Sequence, residues 1–153
     1  MEGTMKGKKW DVYVYGDVNI DLVVPGVSSL PKPGQEDEVP VMDTYVGGGA
    51  ALFALGIGKL GLHPVFQGEV GDDCYGELIR KEFAAKNIDD SSLETSRTEK
   101  TGISISFTNE KDRSFLTYRG TNAGISIDKV DIEGVKNASF QRGNAVKLDF
   151  PDE

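Results

Sequence analysis

The amino-acid sequence predicts a mixed α/β fold, and three observations carry that expectation. Asp11–Tyr15 and Asn19–Val24 are β-rich runs separated by a Gly-Asp break. Asp73–Asn87 places Tyr75, Leu78, Ile79 and Phe83 on one face at helical spacing. Thr101–Thr108 alternates, with Ile103, Ile105 and Phe107 on one side and Ser104, Ser106 and Thr108 on the other. Strands and helices interleave along the chain, so a sheet covered by helices is the expected architecture.

Each element has its own signal. The first run ends at Gly16-Asp17 and the second at Pro25-Gly26. Residues 26–36 carry Pro31, Pro33 and Gly34 and read as a loop. Glu38–Val46 alternates in part through Val39, Val41 and Tyr45. Pro40 makes it an edge strand, because proline has no N–H to give to a ladder. Gly47-Gly48-Gly49 follows and opens a helix through AALFALGIGKLG. Each interior glycine there costs about 1 kcal/mol relative to alanine, so close packing against a sheet is the expected offset. His63–Glu69 reads as a short buried strand. The helix over Asp73–Asn87 has Asp72 and Asp73 at its positive end and Lys86 at its negative end. Asn109–Arg113 is the turn of a hairpin whose return strand is Ser114–Arg119. A last helix is expected within Ser126–Ala138, followed by a polar tail in which only Val146, Leu148 and Phe150 alternate.

Composition narrows the function. The chain has 153 residues, 17 Lys and Arg against 25 Asp and Glu, and a formal net charge of −8. Such a surface repels nucleic-acid and anionic membrane partners, so neither is expected. One cysteine, Cys74, excludes an internal disulfide framework and suits a reducing cytoplasm. One histidine, His63, leaves no zinc set of the cysteine/histidine type. The N-terminus lacks the apolar core of a signal peptide, and no apolar run is long enough to span a bilayer.

Several motifs could carry chemistry. Gly56-Ile57-Gly58-Lys59-Leu60-Gly61 has the GxGxxG spelling, but it lies late in a helical stretch rather than in a strand-to-helix turn. Helix packing is therefore its plainer meaning. Gly47-Gly48-Gly49 is better placed, where helix N–H groups can meet a polar ligand, and a flexible turn is an equally good reading. Asp17, Asn19 and Asp21 alternate after the first strand and can share one face. Amide and carboxylate together suit sugar hydroxyls, although a solvated turn is the plainer reading of these residues alone. Gly71-Asp72-Asp73 reads as a turn and helix cap, Cys74 as a packed thiol, and His63 as a surface-loop residue. Tyr118-Arg119-Gly120 could set an aromatic ring and a cation beside a ligand, or simply end a hairpin.

Taken together and in this order, the pieces resemble the ribokinase-like (PfkB) family of carbohydrate kinases. YGDVNIDLV resembles the family's first strand and its sugar-binding Asn-x-Asp, which implies substrate contact at Asn19 and Asp21. VGGGAALFALGIGKLG resembles its Gly-Gly signature, which implies substrate contact at Gly47 and Gly48. Gly68–Asp89 and Thr101–Ser126 resemble two further family segments. The implied fold is a partial Rossmann-like ribokinase fold with a small β-sheet lid, built from the second strand, the Glu38–Val46 strand and part of the hairpin. The resemblance implies that the lid closes over a sugar or nucleoside and can serve as a homodimer contact. ATP and Mg2+ follow from it for full-length members.

The sequence also departs from the family pattern. Leu52 stands where the signature usually has asparagine, and Gly49 where a second polar residue is frequent. No Gly-Ala-Gly-Asp-like run is present, so the anion hole, catalytic base and nucleotide pocket of the family are absent from this sequence. Residues 1–139 are expected to form the N-terminal part of the domain with its lid strands. Residues 140–153 are expected to be an atypical tail beyond the match. The resulting expectation is the substrate-binding and lid half of an ATP-dependent sugar kinase, inactive alone, without a catalytic or metal-binding residue of its own and binding no cofactor fully. A non-catalytic sugar-binding or dimerisation module is the alternative.

Overall fold

The computed structural model describes residues 7–27 and 29–143 and arranges them around two four-stranded sheets. The first sheet is wholly parallel and has the order β5-β4-β1-β8. Its strands are β1 (Trp10–Tyr15), β4 (Pro64–Gly71), β5 (Leu93–Ser96) and β8 (Ala138–Gly143). The second has the order β3-β2-β6-β7, from β2 (Asn19–Pro25), β3 (Asp43–Gly47), β6 (Gly102–Thr108) and β7 (Arg113–Tyr118). In it β2 and β6 run parallel, and the outer pairs are antiparallel. Helices α1 (Gly49–Lys59), α2 (Cys74–Ala85) and α3 (Ile132–Lys136) complete the chain with two short 3-10 turns. A mixed α/β architecture with a small second sheet, built from the second strand, the strand before the glycines and the hairpin, is therefore present.

The alternation in β1 sorts its side chains between two cores. Val12 and Val14 join Phe66, Ile79, Phe83 and the alanines of α1 in the larger cluster. Tyr13 and Tyr15 face the other side with Val65, Val130 and Ala138. Phe66 and Phe83 meet edge to face with ring centroids 5.0 Å apart, a geometry worth about 1 kcal/mol beyond area burial.

The helix expected over Asp73–Asn87 forms over Cys74–Ala85. Asp73 caps its start by accepting from the Gly76 N–H at 2.9 Å. Asn87 ends it in the left-handed region at φ 57. Cys74 is exposed rather than packed, because it sits on the outer side of the first turn. His63 lies half-buried in its loop, with Nδ1 2.8 Å from the Asn87 carbonyl. The GxGxxG run falls within and just after α1. A Cβ on Gly58 would lie 2.2 Å from the Lys86 carbonyl oxygen, so this glycine lets α1 approach α2 closely. Gly56 faces open space, and helix packing explains only one of the two interior glycines.

Other expectations change. The strand expected over Glu38–Val46 begins only at Asp43. Pro40 withholds an N–H, and residues 38–42 are all exposed, so nothing fixes them in a ladder. The single helix expected within Ser126–Ala138 is broken into Ile127–Lys129 and Ile132–Lys136. Gln67 supplies the reason. Its amide nitrogen donates to the Lys129 carbonyl and its amide oxygen accepts from the Asp131 N–H, where helix bonds would otherwise form. β5 and β8 had no clear alternation and were not foreseen as strands. The alternation of Val146, Leu148 and Phe150 lies outside the described residues.

The junction ahead of β6 depends on Asp73 as well. Its carboxylate accepts from the Thr101 N–H at 2.9 Å and from the Thr101 hydroxyl at 2.7 Å, while Thr101 Oγ1 accepts from the Gly71 N–H. Burial pushes the Asp73 carboxyl upward, but the bonds from Thr101 and Gly76 and the nearby Lys100 charge outweigh it and hold the group below its ordinary value. Asp73→Ala removes a helix cap and strands the buried Thr101 groups, so it should cost about 3 kcal/mol in a denaturant titration. A depressed folded-state pKa stabilises the protein above the unfolded pKa and loses that effect as pH falls through the folded value. The stability gap between wild type and the variant should therefore narrow in acid.

Candidate functional site

The chain leaves β1 and enters β2 through Gly16-Asp17-Val18, and the candidate site is built on this crossing. Asp17 turns its carboxylate to the first turn of α1. Its Oδ2 accepts from the Gly49 N–H and its Oδ1 from the Ala50 N–H, each at 3.0 Å. The Ala51 N–H donates to the Asp17 carbonyl at 3.2 Å. The N-cap residue, Gly48, has no side chain to do this. Asp17 therefore satisfies from another segment the N–H groups that a local cap would satisfy. The glycine turn is a fastened one.

Both candidate glycines are demanded by close approach. A Cβ on Gly47 would lie 2.3 Å from Asp21 Oδ2. Gly48 has φ +96, and a Cβ there would lie 2.6 Å from the Asp17 carbonyl oxygen. Asn19 stands opposite Gly47 across the β2–β3 ladder, and Asp21 opposite Tyr45. Asn19 and Asp21 share a face, and the Asn19 amide donates to Asp21 Oδ1 at 2.7 Å. Asn19, Asp21, Gly47 and Gly48 thus meet in one place. Burial raises the Asp21 carboxyl above its ordinary value, with the Asp17 charge adding to the rise and the Asn19 bond opposing it.

Two clefts open from this cluster. One, of about 390 Å³, is lined by Asp17, Asn19, Thr117, Tyr118, Arg119 and Asn122, with Ile125. It brings the aromatic and cation of Tyr118-Arg119 beside the Asp/Asn segment. The other, also about 390 Å³, runs from Asp21 past Tyr45 and Leu52 towards Lys59 and Lys86. The Asn19–Asp21 bond joins the two. An amide and a carboxylate locked in this way can accept from and donate to the hydroxyls of a small polar ligand.

Asn122 is a site residue that sequence reasoning took only for part of a turn. Its amide oxygen accepts from the Val18 N–H at 3.1 Å, and its amide nitrogen donates to the Val18 carbonyl at 2.9 Å. This pair of hydrogen bonds fixes the crossing from which Asp17 and Asn19 project. Its separation from Val18 by 104 residues hid it.

At the carboxyl ends of β1 and β4 a cleft of about 260 Å³ carries Glu69 and Glu94 against one Lys129, a balance that disfavours a triphosphate. The helix opened by glycines has its leading N–H groups bonded to Asp17. Among the described residues no group of three or more His, Cys, Asp or Glu could hold a metal ion. No described helix is long and apolar enough to cross a membrane.

Comparison with known proteins bears on this arrangement. The model of the pfkB family carbohydrate kinase matches residues 9–150, past residue 139, where the motif-by-motif resemblance ends. A probable chloroplastic fructokinase of Arabidopsis thaliana is 26% identical over 140 residues, covering 90% of this chain and 35% of its own length. A ribokinase of Arabidopsis thaliana, solved with ribose and ATP, superposes with a TM-score of 0.77 at 26% identity, over 88% of this chain and 45% of its own. A nucleoside kinase of Methanocaldococcus jannaschii gives 0.65 at 27% identity, over 75% and 38%. The chain thus spans less than half the length of these relatives.

The Asp17 contact gives a measurable expectation. Asp17→Asn removes a charge that raises the Asp21 carboxyl. The Asp21 titration, followed by carboxyl carbon NMR, should move to lower pH. Loss of ideal capping at α1 should also cost about 1 kcal/mol of stability.

Proposed function

The chain belongs to the pfkB family of carbohydrate kinases, and from that premise we propose that it is the substrate-binding and lid half of an ATP-dependent kinase acting on a sugar or nucleoside hydroxyl. The observation that carries the reading is the meeting of Asn19 and Asp21 with Gly47 and Gly48 at the seam between the two sheets. In this reading Asn19 and Asp21 bond the ligand's hydroxyls, and the absence of side chains at Gly47 and Gly48 lets the ligand approach the backbone. The sheet β3-β2-β6-β7 is the lid. Covering the ligand with it removes water and strengthens the polar contacts beneath. The ribose bound in one solved relative, and the name nucleoside kinase borne by another, support the substrate class.

The phosphoryl donor, the group that stabilises the moving phosphoryl charge and the catalytic base belong to parts outside this chain. Phosphoryl transfer rests on positioning and charge stabilisation, and the described residues supply the first for the acceptor only. A second reading, a non-catalytic sugar-binding or dimerisation module, is favoured by Leu52 at the cleft wall and by the carboxylates Glu69 and Glu94 at the sheet's edge. Exposed Phe115, Leu116 and Tyr118 on the outer strand of the lid suit a homodimer contact. A reducing cytoplasm suits the free, exposed Cys74.

Calorimetry with D-ribose and D-fructose tests the site. Binding should be lost in Asn19→Ala and in Asp21→Ala. Unchanged affinity in both variants would remove the assignment. In an ADP-release assay with ATP, Mg2+ and either sugar, the 153-residue protein should stay at background, and turnover above it would overturn the half-enzyme reading.

A further inference from the structure

We propose that Leu52 sets the ligand class of this site: the cleft beside Asp21 selects a nucleoside, a hydroxylated ligand with an apolar ring face, over a free pentose or hexose. The proposal rests on the substrate-site reading above and narrows it. Leu52 is 53% exposed and Tyr45 is 56% exposed, although both are large and apolar. Isolated exposed apolar residues need no explanation, but these two converge. With Val23, Val46 and Leu55 they wall the cleft of about 390 Å³ that begins at Asp21. That volume lies within the range of small-molecule sites, which pair apolar walls with a few polar groups.

The polar groups stand at the two ends of this cleft. Asp21 is at one, tied to Asn19, while Lys59, Glu82 and Lys86 are at the other. A free sugar ring lying along the walls would turn hydroxyls to Leu52, Leu55 and Val23, which offer no hydrogen bond. Each hydroxyl left unpaired is penalised. A nucleoside divides its chemistry as the cleft does. Its ribose hydroxyls can meet Asp21, which Asn19 holds in place, its flat base can cover Leu52 and Tyr45, and the polar edge of the base can reach the lysine end. α1 presents Leu52 outward because the opposite side of the helix is committed to the core through Ala50, Ala51 and Ala54. Packing of α1 therefore does not require a leucine at this position.

The test is calorimetry of the 153-residue protein with adenosine, uridine, D-ribose and D-fructose. At least one nucleoside should bind about tenfold more tightly than ribose. Leu52→Asn should erase that difference, lowering the nucleoside affinity about tenfold while leaving ribose unchanged or improved. Tyr45→Ala, on an exposed position of an edge strand, should reduce the difference in the same direction and carries the comparison should Leu52→Asn fail to fold. Equal affinities for ribose and nucleosides overturn the proposal, as does an unchanged ratio in the variants. If ribose binds as well as the nucleosides and Asn19→Ala abolishes it, the ligand class falls and the site assignment stands. If none of the four ligands binds, both fall.

Discussion

The structure depends on a seam of side-chain hydrogen bonds where the chain passes between its two sheets. It crosses between β1 and β2, β3 and β4, β5 and β6, and β7 and β8, and a polar residue fastens each crossing to another. Asp17 ties the first to the start of α1. Asn122, from the last, ties Val18 by both of its backbone groups. Asp73 and Thr101 tie the third to the start of α2 and the end of β4. Thr121 donates to the Glu69 carbonyl and takes the Lys100 carbonyl with its own N–H. Backbone leaving a sheet has polar groups without ladder partners. Here buried Thr101 and Thr121, with Asp17, Asp73 and Asn122, supply them, so the second sheet is held at a defined place over the first.

That seam explains why the glycines sit where they do. Gly47, Gly48, Gly102 and Gly120 lie at crossings and Gly71 ends β4 beside the third, and a Cβ on any of them would come within 3.0 Å of an atom of another segment. Chains this close leave room for bonds shorter than a packed side chain would permit. The candidate site is a consequence of the same crowding. Asn19 and Asp21 begin β2 immediately after the first crossing, and Gly47 ends β3 at the second. The ladder register brings Asn19 level with both Gly47 and Gly102.

Local signals made much of this legible. Runs of β-favouring residues located β1 and β2, period-two alternation located β6, and one apolar stripe located α2, because each signal lies within the segment itself. The glycine triplet and the Asn/Asp pair were visible as unusual residue types next to strand ends. What stayed hidden depended on partners far along the chain. Gln67 breaks a helix some sixty residues away by bonding Lys129 and Asp131, and no local propensity reports that. Asn122 looked like a turn residue because its partner is Val18. β8 was missed since its support is the register with β1, from Trp10↔Ala138 onward, rather than an alternation of its own.

The site is organised before any ligand arrives, and this constrains what can bind. Asp17 is committed to α1, and one oxygen of Asp21 to Asn19. A carboxylate has roughly four lone-pair positions, so Asp21 keeps acceptor capacity without breaking its internal bond. A hydroxyl donor can use that capacity directly. A second anion is disfavoured, since it would meet Asp21 and Asp17 together where burial, with the Asp17 charge, already raises the Asp21 carboxyl. In the substrate-site reading, neutral hydroxylated ligands are thereby favoured over phosphorylated or acidic ones at this end of the cleft.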